Sequence, residues 1–537
     1  MTVEQIRALA PALAEYLGEF SGCFVTPETC LHLREYVQGQ LSDLPRKSVE
    51  PMADLAGVAP RTLQEFLSLS EWDQDLLRGT VQRLVARDHA DAEAIGVVDE
   101  SGHPKKGEKT ACVQRQYCGN NGKVDNCVMS VHLAYASYDT SFRCMLDCDL
   151  FLPESWDRDK ARRESAEVPK AVRYRPKYDI ALEQLDRARA NGVRFGWVTA
   201  DEWYGGKPKF VQGLEQRGER FVLEVPANLM GWLHEPAGAD AGGRGEVQNL
   251  CRWSTPMLQQ PWVKFHVKDT GKGAVVWEAR AAPFWMKRGK GAKAELVGPY
   301  WLIAARDVMD RDVVKYFLSN AKPGTPLEAV LHVAFARWPV ERCLEDQKTE
   351  LGMSHFECRK YGAVLRHLLL TLVSYLFLAR QCQLLRGGKR GADAGGPDAG
   401  GPDAGGPDAR GPDAGGPDAG GPGDGSPAAG EGDRFTGGGR PGGASRSDRR
   451  GQAGGEAGGD GLPSARRRRG TAGRDAAERG GPGATIGEGG ADHPAGPGEQ
   501  RRGPQIPRPG APAGAARRRH PRRSPPLLHP AVTACLL

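Results

Sequence analysis

The end of this chain limits what the rest of it can be. From residue 387 to 537 the only aromatic side chain is Phe435, and Gly, Pro, Ala, Arg and Asp dominate. Such a segment cannot bury enough apolar surface to offset the entropy of ordering its backbone, so a disordered low-complexity C-terminal tail is expected there. Between 392 and 421 it repeats Pro-Asp-Ala-Gly-Gly, broken only at Arg410, and Arg-rich runs follow at 466–469 and 517–523. The pentad has no apolar face to stack on its neighbours, which excludes a solenoid. Two origins fit the tail: an appendage made by repeat slippage or a frameshift, and a polybasic arm that adds non-specific affinity for a polyanion. Either way the folding unit is residues 1–386.

The chain as a whole is 39% hydrophobic with a net charge of +6. That mildly basic balance is compatible with a polyanionic partner without requiring one. The twelve cysteines include no C-x-x-C pair. The first residues also lack the basic and apolar regions of an export signal, so the reduced thiols of a cytoplasmic protein are expected. Cys144 and Cys148 have the look of half a zinc site, but the intervening Met-Leu-Asp reads as strand and favours structural cysteines. The longest apolar run, 368–379, is too short to span a bilayer and reads as a buried core helix.

Residues 1–90 have helical apolar spacing and form an expected N-terminal helical domain. Within it, 54–64 carries the Gly-containing turn of a helix-turn-helix, with Arg61, Thr62 and Gln64 near the start of the second helix. A plain helical bundle fits the same residues. Strand patterns follow at 95–99, 127–137 and 142–152. A basic linker (158–177), a helix near 179–190, a strand at 193–201, a helix at 208–217 and a strand at 220–225 come next. This order suits an α/β fold in which a mixed sheet is flanked by helices, with the first and fourth strands side by side.

Those two strands each end in an acid, Asp99 and Asp201. Paired carboxylates on one sheet edge offer a hard divalent cation preorganised oxygen ligands. Two-metal phosphoryl transfer needs a third carboxylate, since two cations about 4 Å apart must both be held. Glu341 is available from the stretch 337–348, where Pro339 suits the first turn of a helix. In that helix Val340, Cys343, Leu344 and Leu351 form an apolar stripe, while Glu341, Glu345 and Lys348 share a polar face. Each acid alone also reads as a turn former, a helix cap or part of a solvated face.

Three blocks carry a resemblance: Val-Asp-Glu-Ser-Gly-His-Pro-Lys-Lys-Gly at 98–107, Gln-Arg-Gln-Tyr-Cys-Gly-Asn-Asn-Gly-Lys-Val-Asp-Asn at 114–126, and Ala-Asp-Glu-Trp-Tyr-Gly at 200–205. They resemble the DDE transposases of bacterial insertion sequences, in particular the IS-seven-hundred-one group of the IS-four-like superfamily. The superfamily signature of Tyr, two residues, Arg, three residues, Glu, six residues, Lys places its last three positions on Arg337, Glu341 and Lys348. Its Tyr position is Ala334 here, with Phe335 beside it.

The resemblance, from about residue 20 to about 385, implies a ribonuclease-H-like core in two parts, 91–226 and 326–386. A β-rich insertion at 227–325 accounts for the long separation of Asp201 from Glu341, and strand patterns at 262–268, 274–280 and 300–306 agree with it. It also implies that Asp99, Asp201 and Glu341 hold two Mg²⁺ ions, with Mn²⁺ as a substitute. Water, and then a DNA 3′-OH, would attack phosphodiesters there, in cut-and-paste transposition. The implied partners are double-stranded DNA, at element ends and target, and a second copy of the chain in a homodimer on DNA.

Arg337 and Lys348 would hold phosphates. Lys105, Lys106, Arg115 and Lys123 are further choices for backbone contacts, with a solvated charged loop as the alternative. In hairpin-forming relatives an aromatic residue of the insertion stabilises a flipped base, which points to Trp253, Trp262, Trp277 or Trp285, with core packing as the alternative for each. Two other functions fit the same residues: a decayed transposase that only binds DNA, and a structure-selective nuclease.

Overall fold

A computed structural model describes residues 3–238, 241–289, 291 and 294–393, so the tail beyond 393 lies outside the described residues. Five helices come first: α1 (Val3–Gly18), α2 (Pro27–Leu41), α3 (Val49–Ala56), α4 (Pro60–Ser68) and α5 (Gln74–Asp88). Their starts follow from local chemistry. Thr26 and Asp73 cap α2 and α5 by accepting backbone N–H groups, and Pro27 and Pro60 sit at helix starts where no N–H is needed. Gly57, at φ +72°, ends α3 in the left-handed conformation that only glycine adopts without strain. α4 then buries Leu63, Phe66 and Leu67 and exposes Arg61 and Gln64.

The sheet begins with β1 (Ile95–Pro104), β2 (Gln114–Cys118), β3 (Lys123–Ala136) and β4 (Arg143–Leu150). After α6 (Glu154–Arg158), α7 (Lys160–Ser165) and α8 (Lys177–Ala190) come β5 (Trp197–Ala200), α9 (Glu202–Gly205), α10 (Pro208–Gln216) and β6 (Phe221–Val225). Short elements differ from the sequence reading: β2 pairs with β3, the basic linker contains α7, and α6 and α9 add single turns of helix. β1, β3 and β4 are antiparallel neighbours, while β5 and β6 add parallel to β1. The order β4-β3-β1-β5-β6 is the ribonuclease-H-like one.

The next segment supplies β7 (Met230–Trp232), β8 (Gly245–Glu246), α11 (Val247–Trp253), α12 (Thr255–Leu258), β9 (Val263–Thr270), β10 (Gly273–Arg288), β11 (Glu295–Asp307) and β12 (Val314–Ser319). These strands continue the same sheet, because β12 pairs antiparallel with β6 and β11 and β10 follow outward. The β-rich stretch is thus hydrogen-bonded to the core edge rather than set apart from it.

Three helices close the fold: α13 (Leu327–Phe335), α14 (Arg337–Thr349) and α15 (Tyr361–Asp393). α14 starts two residues before Pro339, which is tolerated because the first turn has no intrahelical partner for its N–H groups. α15 contains a stretch, Tyr361–Leu385, long and apolar enough to cross a membrane, but its most apolar part is 83% buried inside the protein. It is the expected core helix, longer than its uninterrupted apolar run.

α15 packs on β4, α2, α4 and α5, so the opening helices and the strands share one core. Polar groups on it are satisfied across that interface: Tyr16 Oη donates to the Val373 carbonyl at 2.8 Å, and Ser374 Oγ to Gln40 at 2.7 Å. A buried charge cluster adds a second tie. Asp147 and Asp149, two apart on β4 and so on one face, meet Arg78 of α5 at 3.0 and 3.3 Å and are also paired with Arg187 of α8. Cys144 and Cys148 are buried free thiols in the same strand.

Candidate active site

The register of the parallel strands builds the site. Val98 of β1 is level with Ala200 of β5, and Ala200 with Leu223 of β6. The next residue in each strand direction is therefore an acid: Asp99, Asp201 and Glu224 form one row where the parallel pairing ends, although β1 does not end at Asp99 as expected but continues to Pro104 beside β3. In a parallel sheet the residues of such a row point to one face. α9 packs directly beneath, and Gly205 permits it, since a Cβ there would lie 2.0 Å from the Glu224 carbonyl oxygen.

Each aspartate is oriented through one oxygen. Asp99 Oδ1 accepts the Glu100 N–H at 2.7 Å, and Asp201 Oδ1 accepts the N–H groups of Trp203 and Tyr204 at 3.1 and 3.2 Å. Asp201 is thus a helix cap as well, so the capping and ligand readings of this acid coexist on its two oxygens. Oδ2 of Asp99 faces Arg337 Nη1 at 3.8 Å.

Glu341 arrives from the opposite side on the first turns of α14. It is half exposed and pairs with the same Arg337 Nη1 at 2.5 Å. The carboxyl oxygens of Asp99 and Glu341 are therefore no further apart than the sum of those two distances. Arg337 Nη2 also lies 3.7 Å from Glu224, which Lys315 of β12 holds at 2.5 Å. Glu345 takes no part: it pairs with Arg342 at 3.1 Å. The two acids that share one face in the sequence are separated by their partners.

Acids outnumber bases in this group, and the electrostatics reflect it. Burial, with the charges of Asp201 and Glu341 adding, pushes the Asp99 carboxyl up to about 7 even though Arg337 opposes the shift. Burial also raises Asp201, with Glu224 contributing. Arg337 is held protonated by Glu341, Asp99 and Glu224, which outweigh its own burial. Lys348 is lowered by burial, while Asp99 pulls the other way.

The donor set fits a hard divalent cation in part. Asp99 and Asp201 present adjacent carboxylate oxygens, and the buried Tyr204 hydroxyl, influenced by both charges, has no protein partner among the described residues. Among the described residues no three His, Cys, Asp or Glu side chains converge closely enough to hold an ion. The guanidinium of Arg337 lies between Glu341 and Asp99 instead.

The expected cations divide into three kinds. Arg337, expected at a phosphate, is largely buried and engaged by three carboxylates. Lys105 turns inward: its ammonium donates to the carbonyls of Ser354 and Phe356 at 3.0 and 2.7 Å and lies over the Phe356 ring. Its expected place on a DNA backbone is corrected to an anchor of the loop before α15, because two carbonyls and a ring already surround it. Lys106, Arg115 and Lys123 are exposed, the first near β1 and the others on the β2–β3 hairpin. Lys348 is partly buried beside Asp99.

The aromatic candidates separate too. Ala334 is buried, and the neighbouring Phe335 packs in the core with Trp277, Phe317 and Trp338, so neither presents a ring where the signature has Tyr. Trp277 is therefore core. Trp262 lies between Arg280 and Arg306, Trp285 pairs in the sheet with Trp232, and Trp253 is exposed.

Sequence reasoning missed Glu224, whose only signal was a third acid near a strand end. It also missed a buried hydrogen-bonded chain, Ser354–His103–Ser130–His132, with links of 2.9, 2.8 and 2.7 Å. His132 is opposite Asp99 in the β1–β3 ladder, and burial pushes it down to about 3, so this chain is neutral.

Comparison with known proteins agrees with this geometry. Residues 19–264 match the family described as DDE superfamily endonuclease, a span that includes Asp99 and Asp201 and ends before Glu341. The chain is also 27% identical over 363 residues to a probable transposase for insertion sequence element IS701 from Microchaete diplosiphon, covering 66% of this chain and 85% of that protein. Over these spans the chain is similar to the DDE endonuclease superfamily and to a transposase of an insertion sequence.

Proposed function

We propose that this enzyme cuts the ends of an insertion sequence and joins them to target DNA, with Asp99, Asp201 and Glu341 as its metal-holding carboxylates. The observation that carries this reading is the row of acids on adjacent strands facing Glu341 across one guanidinium. DDE endonucleases use divalent metal ions; here two Mg²⁺, with Mn²⁺ as a substitute, would lower the pKa of the attacking water and neutralise the phosphate.

The remaining work falls to the chain itself. Asp99 and Asp201, fixed through Oδ1, offer their second oxygens without reorganising. Arg337 balances the acids of the ligand-free protein, and Glu224 and Glu341 hold it between them. Lys348, Lys106, Arg115 and Lys123 contribute positive charge to the DNA backbone, which gives affinity and position without reading sequence. α4, with Arg61 and Gln64 exposed after a helix-turn-helix-like turn, is the part of the N-terminal helical domain that reads the element end. The DNA-bound form is a homodimer, one copy per end.

Mg²⁺-dependent cleavage of duplex DNA carrying the element end, by wild type and by Glu341→Ala, tests the reading. Cleavage by wild type only supports it, and equal cleavage sinks it. Binding of the end without cleavage by either protein would mark a decayed, DNA-binding transposase. Cleavage that ignores the element end would mark a structure-selective nuclease.

A further inference from the structure

Trp203 stands two residues after Asp201, and the residue is 38% exposed. It is nevertheless well fixed: its main-chain N–H is bonded to Asp201 Oδ1 at 3.1 Å, and its ring meets Tyr204 edge to face at 4.9 Å. Two ammonium groups approach the ring, Lys207 at 4.6 Å and Lys177 at 5.3 Å from its centroid. Lys177 also pairs at 2.7 Å with Glu100, the residue after Asp99. Lys207 has no carboxylate partner among the described residues.

An ordered indole left in water forgoes apolar burial, and here it stands beside the acid row. Lysines near an aromatic ring gain about 0.5–1 kcal/mol each at exposed sites, which stabilises the group without covering it. The combination of a π surface and an ammonium group is complementary to a nucleotide: the base stacks and a phosphate lies on Lys207, while Lys177, paired with Glu100, braces the ring. A protein partner would also use an exposed Trp, but a cation lacking a carboxylate partner, beside an edge read as a DNA-cleaving site, favours nucleic acid.

We propose that Trp203, Lys177 and Lys207 form a platform that stacks an unpaired nucleobase of the DNA strand lying across Asp99 and Asp201. The base is unpaired because neighbours in a duplex cover both of its faces. The inference rests on the reading of this edge as a DNA-cleaving site.

Binding of a short single-stranded oligodeoxythymidine to the full chain tests it, read by anisotropy for wild type, Trp203→Phe, Trp203→Leu and Trp203→Ala. Leu and Ala are expected to weaken binding about tenfold, the scale of one lost stacking contact, while Phe stays within about threefold. Lys207→Gln is expected to reduce the salt slope of binding by about 0.7. Wild type should also show fluorescence quenching by the oligonucleotide that Trp203→Phe lacks, a readout independent of variants that fold poorly. Wild-type affinity in Trp203→Leu, or equal quenching in the Phe variant, overturns the platform; single-strand affinity unchanged but lost binding to a protein partner would make Trp203 a protein contact. Stacking on Trp203 without Glu341-dependent cleavage would defeat the catalytic reading alone, and Glu341-dependent cleavage without stacking would defeat only the platform.

Discussion

Two carboxylate groups on one sheet invite comparison. Asp147 and Asp149 are matched by Arg78 and Arg187, so two buried acids meet two guanidinium groups. Asp99, Glu224 and Glu341 share Arg337, whose charge Asp201 feels without pairing to it, and Lys315 meets Glu224 alone. The first group is neutral and structural; the second carries excess negative charge that the fold does not compensate. Burying such excess is costly unless something else uses it, which is why acids left short of partners on a rigid edge point to a cation or a reaction.

The comparison breaks most sharply under substitution of the acids. Asp201→Asn is expected to reduce DNA cleavage by about 1,000-fold or more, the equivalent of about 4 kcal/mol of transition-state stabilisation, while circular dichroism shows an unchanged fold. Asp147→Asn should leave cleavage far less affected; comparable losses would erase the distinction.

Stability should respond the other way. Arg78→Ala leaves two buried aspartates with one cation and is expected to cost about 3–5 kcal/mol in urea unfolding. Asp99→Asn removes an uncompensated charge and should be neutral or stabilising at pH 8.

The pH dependence of stability sharpens the contrast. The folded-state value of Asp99, about 7, is above its ordinary 3.8, so between these pH values the folded protein keeps a proton that the unfolded chain has released. Stability from this group therefore falls as pH rises through that window. Without added metal, wild type should lose more melting temperature between pH 5 and pH 8 than Asp99→Asn does. Added Mg²⁺ should restore part of the loss in wild type only, because a ligand that binds the folded state stabilises it. Equal slopes in the two proteins would remove Asp99 as the source.

Glu224→Gln should have the smallest effect. Loss of its charge lowers the Asp201 carboxyl, so the acidic limb of the cleavage profile should move to lower pH, with kcat changed only a few-fold. An unmoved limb would separate Glu224 from the site.

Much of the architecture was legible because it depends on local pattern. Apolar alternation marked β1, β3, β4, β5 and β6, and the same pattern pointed to Asp99 and Asp201, although only Asp201 follows the end of its strand, since β1 runs on to Pro104. β2 and α9 were missed because they are short and have little periodicity of their own. Glu341 was separable from Glu345 in the sequence only through spacing to Arg337 and Lys348. The structure adds a physical difference: Glu341 meets Arg337, whereas Glu345 meets Arg342. Lys105 and Arg337 show the limit in reverse, since a basic residue near an acid reads as available until the groups around it are known.

The sequence by itself determined that apolar and aromatic residues are concentrated before residue 387, and that strand and helix patterns alternate around Asp99 and Asp201. These follow from composition and periodicity, which act over a few residues. Only the tertiary structure decided that β12 joins β6, that Glu224 enters the acid row, and that Arg78 and Arg187 neutralise one acid pair while a lone Arg337 is shared by another group. Charge balance is set by residues far apart in the chain but only a few ångströms apart in space, and no local pattern encodes that distance.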